Sequence, residues 1–288
     1  IGGTAIKYGM INESGIIELR GETETEAHRG GVYVLEKAVK IVKEYQNNVD
    51  LIGICISTAG MVDPEMGRIF YSGPQIPHYA GTDFKRTMEQ IFRVPCEVEN
   101  DVNCAGLAES ISGAAAGCKS VLCLTVGTGI GGCFIRNCQI FHGHGNSACE
   151  VGYLHMGDSD FQTLGSARAL IKKVAERKGE KPEMWNGIKI FEAAKEGDGI
   201  CRRSIEEMAD VLGQGIANIC YILNPQAVVL GGGIMSQKEY LYPLIRSCLD
   251  KYLIPQIAKK TDLKMAAHKN DAGLLGAYYN FCNRHKNR

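Results

Sequence analysis

The 288-residue chain has no net charge, because Lys+Arg and Asp+Glu both number 32. A balanced chain has no global field of the kind that holds nucleic acid or an anionic membrane, so neither is expected as a partner. No apolar run approaches the ~20 residues that cross a bilayer, and no signal-peptide pattern stands at the start. The 12 cysteines include no C-x-x-C pair. Most lie inside apolar runs, as in Gly53-Ile54-Cys55-Ile56 and Val121-Leu122-Cys123-Leu124, where a free thiol behaves as a small hydrophobe. Disulfide frameworks belong to short secreted chains, so a reduced, cytoplasmic protein is expected. With 45% apolar and 22% charged residues the composition is that of a folded globular protein, and the length suits two domains.

Glycine, by contrast, is plentiful at 35 residues, and it is clustered. The clusters at 2–3, 127–132 and 231–233 each adjoin a strand-like apolar run. Glycine so placed marks backbone that turns tightly or approaches a ligand closely. Residues 5–11 and 16–19, joined by Asn12-Glu13-Ser14-Gly15, read as a hairpin. Val32, Leu35, Ala38, Val39 and Val42 fall at helical spacing and predict a helix over 32–45. A strand over 51–56, a helix over 83–92 and a short strand over 96–99 follow, and Asn100-Asp101 opens a helix over 102–111.

Gly113-Ala114-Ala115-Ala116-Gly117 reads as a domain junction, after which the opening pattern returns. A strand over 121–126 leads into the Gly loop 127–132 and a second hairpin over 133–141. The recurrence suggests two domains built on one ancestral unit. Helices over 167–177, 205–223, 240–252 and 273–282, with a strand over 227–230, complete a set of α/β layers. The expected division is a small N-terminal domain (1–116), a larger C-terminal one (117–272) and a last helix (273–288) returning to the first.

Gly127-Thr128-Gly129-Ile130-Gly131-Gly132 fits G-x-G-x-x-G and follows a strand. A dinucleotide loop must lead into a helix, whose N-terminus holds the pyrophosphate. Here a hairpin follows, which favours a hairpin-borne phosphate loop; a plain turn would need only one or two glycines. The stretch 113–120 misses the P-loop pattern, because Cys118 separates Gly117 from Lys119. Gly2-Gly3-Thr4 offers N–H groups and a hydroxyl for a second phosphate contact, or makes only a turn. Gly231-Gly232-Gly233 admits a flat ligand such as adenine, or serves helix–strand packing. Together the three clusters favour a nucleotide bound between two domains.

In order along the chain, these segments resemble the ROK family of sugar kinases and repressors. That family has the α/β, two-domain actin-like ATPase fold (ribonuclease H-like, hexokinase-like), with the active site in the interdomain cleft. Ile1-Gly2-Gly3-Thr4 is similar to the family's Asp-x-Gly-Gly-Thr phosphate motif, with the Asp falling ahead of residue 1, so the first motif reads as truncated. Ile56 through Asp63 is similar to the sugar-side G-x-V-[DN] loop. Glu99-Asn100-Asp101-Val102-Asn103-Cys104-Ala105 is similar to the segment with the catalytic Asp. Residues 124–132 look like the second phosphate loop, Cys149-Glu150-Val151-Gly152-Tyr153 like Gly-Glu-Ile-Gly-His, and 224–233 like the adenosine segment.

The resemblance implies a kinase using ATP and Mg²⁺ on the 6-hydroxyl of a hexose or N-acetylhexosamine, glucose or N-acetylmannosamine foremost. It makes Asp101 the base that takes the hydroxyl proton; from position alone Asp101 reads first as a helix N-cap, and the Gly loops with the resemblance reverse that order. Gly60, Asn100, Asp101, Glu150, Tyr153 and Gln162 would contact the sugar. Gly2, Gly3, Thr4 and Lys7, with Gly127, Thr128, Gly129 and Gly131, would contact the phosphates, and Gly232 and Gly233 would border the adenine. A homodimer is also implied.

The departures from the family pattern concern zinc. The family's zinc-binding His falls on Tyr153, and 158–166 contains no cysteine, so no structural zinc is expected. His142, His144, Cys149 and His155 match no standard ligand spacing. The rivals to a kinase are a repressor of the same family and a non-catalytic sugar-binding protein. The first carries a helix-turn-helix domain for which this chain has no room before Gly2. Retention of Asp101 argues against the second.

Overall fold

The computed structural model describes residues 1–47 and 49–285. The chain divides into two compact units. The first is Ile1–Ile111 with Gln139–Ala148 and Asn270–Arg288; the second is Ser112–Cys138 with Cys149–Lys269. These boundaries differ from the expected 1–116, 117–272 and 273–288 chiefly at residues 139–148, which group with the first unit. A side-chain bond that sequence spacing cannot show links this segment to the first unit: His142 Nε2 lies 2.7 Å from the Glu99 carboxylate.

Along the chain the first unit opens with β1 (Ala5–Ile11), β2 (Ile17–Glu24), α1 (Gly31–Gln46), β3 (Ile54–Thr58), β4 (Met61–Asp63) and β5 (Arg68–Tyr71). Then come α2 (Phe84–Phe92), β6 (Cys96–Asn100) and α3 (Asp101–Ile111). The second unit begins with β7 (Ser120–Val126) and β8 (Ile130–Arg136), and β9 (Gln139–Ile140) belongs to the first. The second unit continues with β10 (His155–Met156), β11 (Ser159–Asp160), α4 (Phe161–Gly165), α5 (Ala167–Lys178), α6 (Gly187–Lys195) and α7 (Gly199–Leu223). It closes with β12 (Ala227–Gly231), α8 (Lys238–Tyr252), α9 (Pro255–Ala258) and β13 (Asp262–Met265), and α10 (Ala272–His285) returns to the first unit.

In the first unit β1 and β2 form the antiparallel hairpin, with Lys7 opposite Glu22. The core gathers Val34 and Ala38 of α1, Ile54 and Ile56 of β3, Phe84, Met88 and Phe92 of α2, and Val98 of β6. Asp83 caps α2 by accepting the Arg86 N–H at 3.1 Å. Strands β3 and β6 run parallel, from Ile54 opposite Cys96 to Thr58 opposite Asn100. The expected strand over 51–56 therefore starts later. Pro95 precedes Cys96 and has no N–H to continue the ladder; its carbonyl accepts the Ile54 N–H at 2.9 Å. At its other end β6 passes into α3 with no loop between them. Gly276 of α10 lets that helix approach α3 closely, since a Cβ there would collide with the Cys104 carbonyl.

In the second unit the strands are ordered β13, β12, β7, β8. The first three run parallel and β8 pairs antiparallel with β7. Every residue of β12 is buried, as expected of a parallel strand covered on both faces. Helices α4 to α8 supply the apolar cover, with Phe161, Leu170, Ile190, Phe191, Ile205, Leu212, Ile216, Leu241 and Ile245 at 0–2% exposure. Among the described residues no helix is long and apolar enough to cross a membrane.

Candidate active site

The junction of β6 and α3 sets the first group of candidate residues. The first N–H groups of a helix have no partner within it. Asn100 Oδ1 accepts two of them, from Val102 at 2.8 Å and Asn103 at 3.1 Å. Asn100 is thus the cap of α3. Its Nδ2 donates to the Gly60 carbonyl at 2.9 Å and to Asp101 Oδ1 at 3.2 Å. An amide has two donor hydrogens and two acceptor lone pairs, and here all four are engaged. Asn100, expected to touch substrate, is in this geometry a clamp on Asp101. Gly60, at φ 93°, takes a conformation that suits glycine, and its carbonyl is occupied by that same amide.

Asp101 shares only part of that duty, since the Asn103 N–H goes to Asn100. Its Oδ1 accepts the Val102 N–H at 3.0 Å. Burial pushes the Asp101 carboxyl above its ordinary value of 3.8, against the pull of the Val102 N–H and the Asn100 amide. The residue as a whole is half-buried. A carboxylate with a raised proton affinity is suited to accept a proton.

The N-terminal turn comes to the same place. The Ile1 carbonyl accepts the Ala59 N–H at 3.0 Å, next to Gly60. Buried Thr25 pins the turn, its hydroxyl on the Gly2 carbonyl at 2.7 Å and its N–H on the Thr4 carbonyl at 2.8 Å. The Gly2 N–H is used within the turn, on Ala5 O at 3.0 Å. Thr4 is exposed and Lys7 half-buried on β1.

The second group lies in the second unit, around the β7–β8 turn. The six-residue Gly loop expected over 127–132 is in fact a three-residue turn, Gly127 to Gly129. Gly131 and Gly132 stand in the ladder opposite Thr125 and Leu124. The turn is closed by the Gly127 N–H on the Gly129 carbonyl at 2.9 Å, and Thr128 at its tip is exposed. The N-terminus of α5 holds the turn from behind, Ala167 N–H to Gly127 O at 3.0 Å.

Gly232, at φ 96°, presses its backbone against Val126, the last strand residue before the turn, so that any Cβ would collide there. Two of the glycine clusters are therefore neighbours in space. Among the described residues, apart from immediate chain neighbours and local helix backbone, no heavy atom lies within 4 Å of where a Cβ would stand on Gly127 or Gly233. This open, glycine-edged strip fits a nucleotide's phosphates and flat base.

Gln162, in the first turn of α4, joins this turn to the 149–153 segment. Its Oε1 lies 2.6 Å from a would-be Cβ of Gly129 and 3.1 Å from one of Gly152. Gly152 also packs its Cα face on the Ile130 carbonyl. Glu150 and Tyr153 flank it, both exposed, at the two ends of a single 3₁₀ turn over Val151–Tyr153. Among the described residues no group of three or more His, Cys, Asp and Glu side chains is placed to hold a metal ion. Mg²⁺ carried by a nucleotide needs no such cluster, since it keeps waters and phosphate oxygens as most of its ligands.

A model of the ROK family matches residues 1–283. The chain is 32% identical over 297 residues to the beta-glucoside kinase of Listeria monocytogenes, covering 99% of this chain and 98% of that one. Among solved structures it is similar to the Lmo2764 protein of Listeria monocytogenes, a candidate N-acetylmannosamine kinase (TM-score 0.89, 31% identity, 99% of this chain and 97% of that one). It is also similar to a ROK family glucokinase from Streptomyces griseus in complex with glucose and AMPPNP (TM-score 0.83, 25% identity, 99% and 97%). The chain has the α/β, two-domain actin-like ATPase fold of these proteins.

Proposed function

The chain belongs to the ROK family, and on that premise we propose that it is an ATP-dependent kinase of the 6-hydroxyl of a hexose or N-acetylhexosamine. Glucose and N-acetylmannosamine are the foremost substrates, and the working form is a homodimer. The observation that carries the reading is Asp101: a carboxylate held by Asn100 at the start of α3 and raised in proton affinity by burial. Phosphoryl transfer asks little covalent chemistry of a protein; it needs positioning, charge neutralisation and an acceptor for the hydroxyl proton. Asp101 accepts that proton as the hydroxyl oxygen attacks the terminal phosphorus, whose bond to the bridging oxygen breaks so that ADP leaves.

Glu150, Tyr153 and Gln162 hydrogen-bond the sugar hydroxyls, with Gly60 and Asn100 bordering the same hydroxyls from the Asp101 side. Polar contacts of this kind reject analogues that lack a hydroxyl. Thr128 and the N–H of Gly129 receive phosphate oxygens, with Gly127 and Gly131 flanking them; Gly2, Gly3, Thr4 and Lys7 supply the second phosphate contact. Gly232 and Gly233 border the adenine. Mg²⁺, when bound with the nucleotide, neutralises phosphate charge. No structural zinc is needed, because Tyr153 stands at the family's His position.

The test is sugar-dependent ADP release with Mg-ATP across glucose, N-acetylmannosamine, N-acetylglucosamine and a β-glucoside. The expected result is turnover with glucose or N-acetylmannosamine and a phosphate on O6 of the product. No sugar-dependent ADP release with any of the four overturns the reading.

A further inference from the structure

We propose that His142 is a positioning residue for Asp101, acting through Glu99; the inference rests on the reading of Asp101 as the base. Glu99 is 1% exposed. A carboxylate so deeply buried is costly unless donors fill its lone pairs. Three do. The Asn100 N–H and the Asn103 Nδ2 donate to Oε1 at 2.8 and 2.9 Å, and His142 Nε2 stands 2.7 Å from Oε2.

The Asn100 main chain is thus fixed by Glu99, and the Asn100 side chain in turn holds Asp101 Oδ1. The links run His142, Glu99, Asn100, Asp101, every one of them a hydrogen bond. His142 is itself held rigidly. Its carbonyl accepts the Ala148 N–H at 3.0 Å and closes a loop in which Gly143 and Asn146 adopt left-handed backbone at φ 69° and 57°. Such conformations persist where surrounding structure demands them, and here the loop presents one imidazole to one buried carboxylate.

Without His142, Glu99 Oε2 has lost its donor. The carboxylate must then rotate or admit water, and the Asn100 anchor moves with it. A reacting group displaced by ~1 Å can lose ~10²-fold in rate.

The experiment compares His142→Ala with His142→Gln, whose Nε2 can take the place of the imidazole Nε2. His142→Ala should lower kcat by about tenfold or more, with KM for sugar and ATP within about threefold. His142→Gln should restore kcat to within about threefold of wild type. Amide hydrogen exchange at Val102 and Asn103 in the ligand-free protein gives a readout independent of activity: about tenfold faster in His142→Ala and restored in His142→Gln. Unchanged exchange in His142→Ala overturns the proposal, as does an unchanged kcat, or a Gln variant that restores thermal stability but not turnover. An inactive wild type refutes the kinase reading alone, and exchange then decides the link from His142 to the α3 cap.

Discussion

Replacing Asp101 with Asn is expected to remove most of the turnover and yet raise the melting temperature. Asn retains an Oδ1 that can accept the Val102 N–H and the Asn100 amide, the two bonds Asp101 makes at 3.0 and 3.2 Å. The start of α3 is therefore preserved, and what disappears is a negative charge and a proton acceptor. Loss of a general base costs ~10²–10⁴ in rate, or ~3–5 kcal/mol of transition-state stabilisation.

The stability change has the opposite sign. Burial raises the folded-state pKa of Asp101 above the ordinary 3.8. Below the unfolded pKa both states are protonated and nothing is lost. As pH rises past it the unfolded chain ionises first, so folding stability falls until the folded pKa is passed, and the deficit is then constant. Above the folded pKa the wild type bears the whole deficit and the Asn variant none.

Sugar affinity by calorimetry should be retained, ADP release should collapse, and the gain in Tm should shrink as the pH is lowered toward 4. The same raised pKa places the acid limb of kcat/KM above the ordinary carboxylate value of 3.8. Turnover within threefold of wild type would remove Asp101 from the chemistry. A Tm that falls at pH 7.5 would show that its charge supports the fold rather than straining it.

Glycines 129 and 152 should respond differently to alanine. At Gly129 the new methyl meets only the Gln162 amide, 2.6 Å away at the end of a flexible chain, so KM should shift several-fold with little loss of Tm. At Gly152 it meets the Ile130 carbonyl, fixed backbone, at a cost of ~1–3 kcal/mol; equal Tm for the two variants would contradict this. Glu97, 5% exposed, contacts Lys85 at 3.1 Å, Arg284 at 2.9 Å and His285 at 3.0 Å. Glu97→Ala removes the acceptor these groups share, while Arg284 keeps Glu65 at 2.8 Å, and should cost ~1–3 kcal/mol in urea denaturation; no measurable loss would count against the network. Elemental analysis of tag-free protein should find no stoichiometric zinc and chelation should leave activity intact, whereas about one zinc per chain, lost together with activity, would return His142, His144, Cys149 or His155 to consideration as ligands.

The parts of this molecule that could be read from sequence are those decided locally. The β1–β2 hairpin, the α2 cap at Asp83 and the strand-to-helix passage at Asn100-Asp101 each depend on residues within a few positions of one another. Where two neighbours could do the same job, local reading stops short. Asn100 and Asp101 are both good caps, and only the geometry shows that Asn100 takes both the Val102 and Asn103 N–H groups while Asp101 shares just the first.

The glycines carry the same lesson. Gly127 and Gly129 make a turn, whereas Gly132 sits in the ladder because a distant segment crosses it: a Cβ there would stand 2.7 Å from Val151 Cγ2 and 2.9 Å from the Cys149 carbonyl. A glycine needed for a turn and one needed for close approach look alike in sequence, because the partner that demands the second lies elsewhere in the chain. The placement of residues 139–148 in the first unit is hidden from local reading in the same way. The Glu99–His142 bond links that segment to the β6–α3 junction. His142 was visible in the sequence only as a metal ligand lacking companions, and the companion it has is a buried carboxylate two residues before the proposed base.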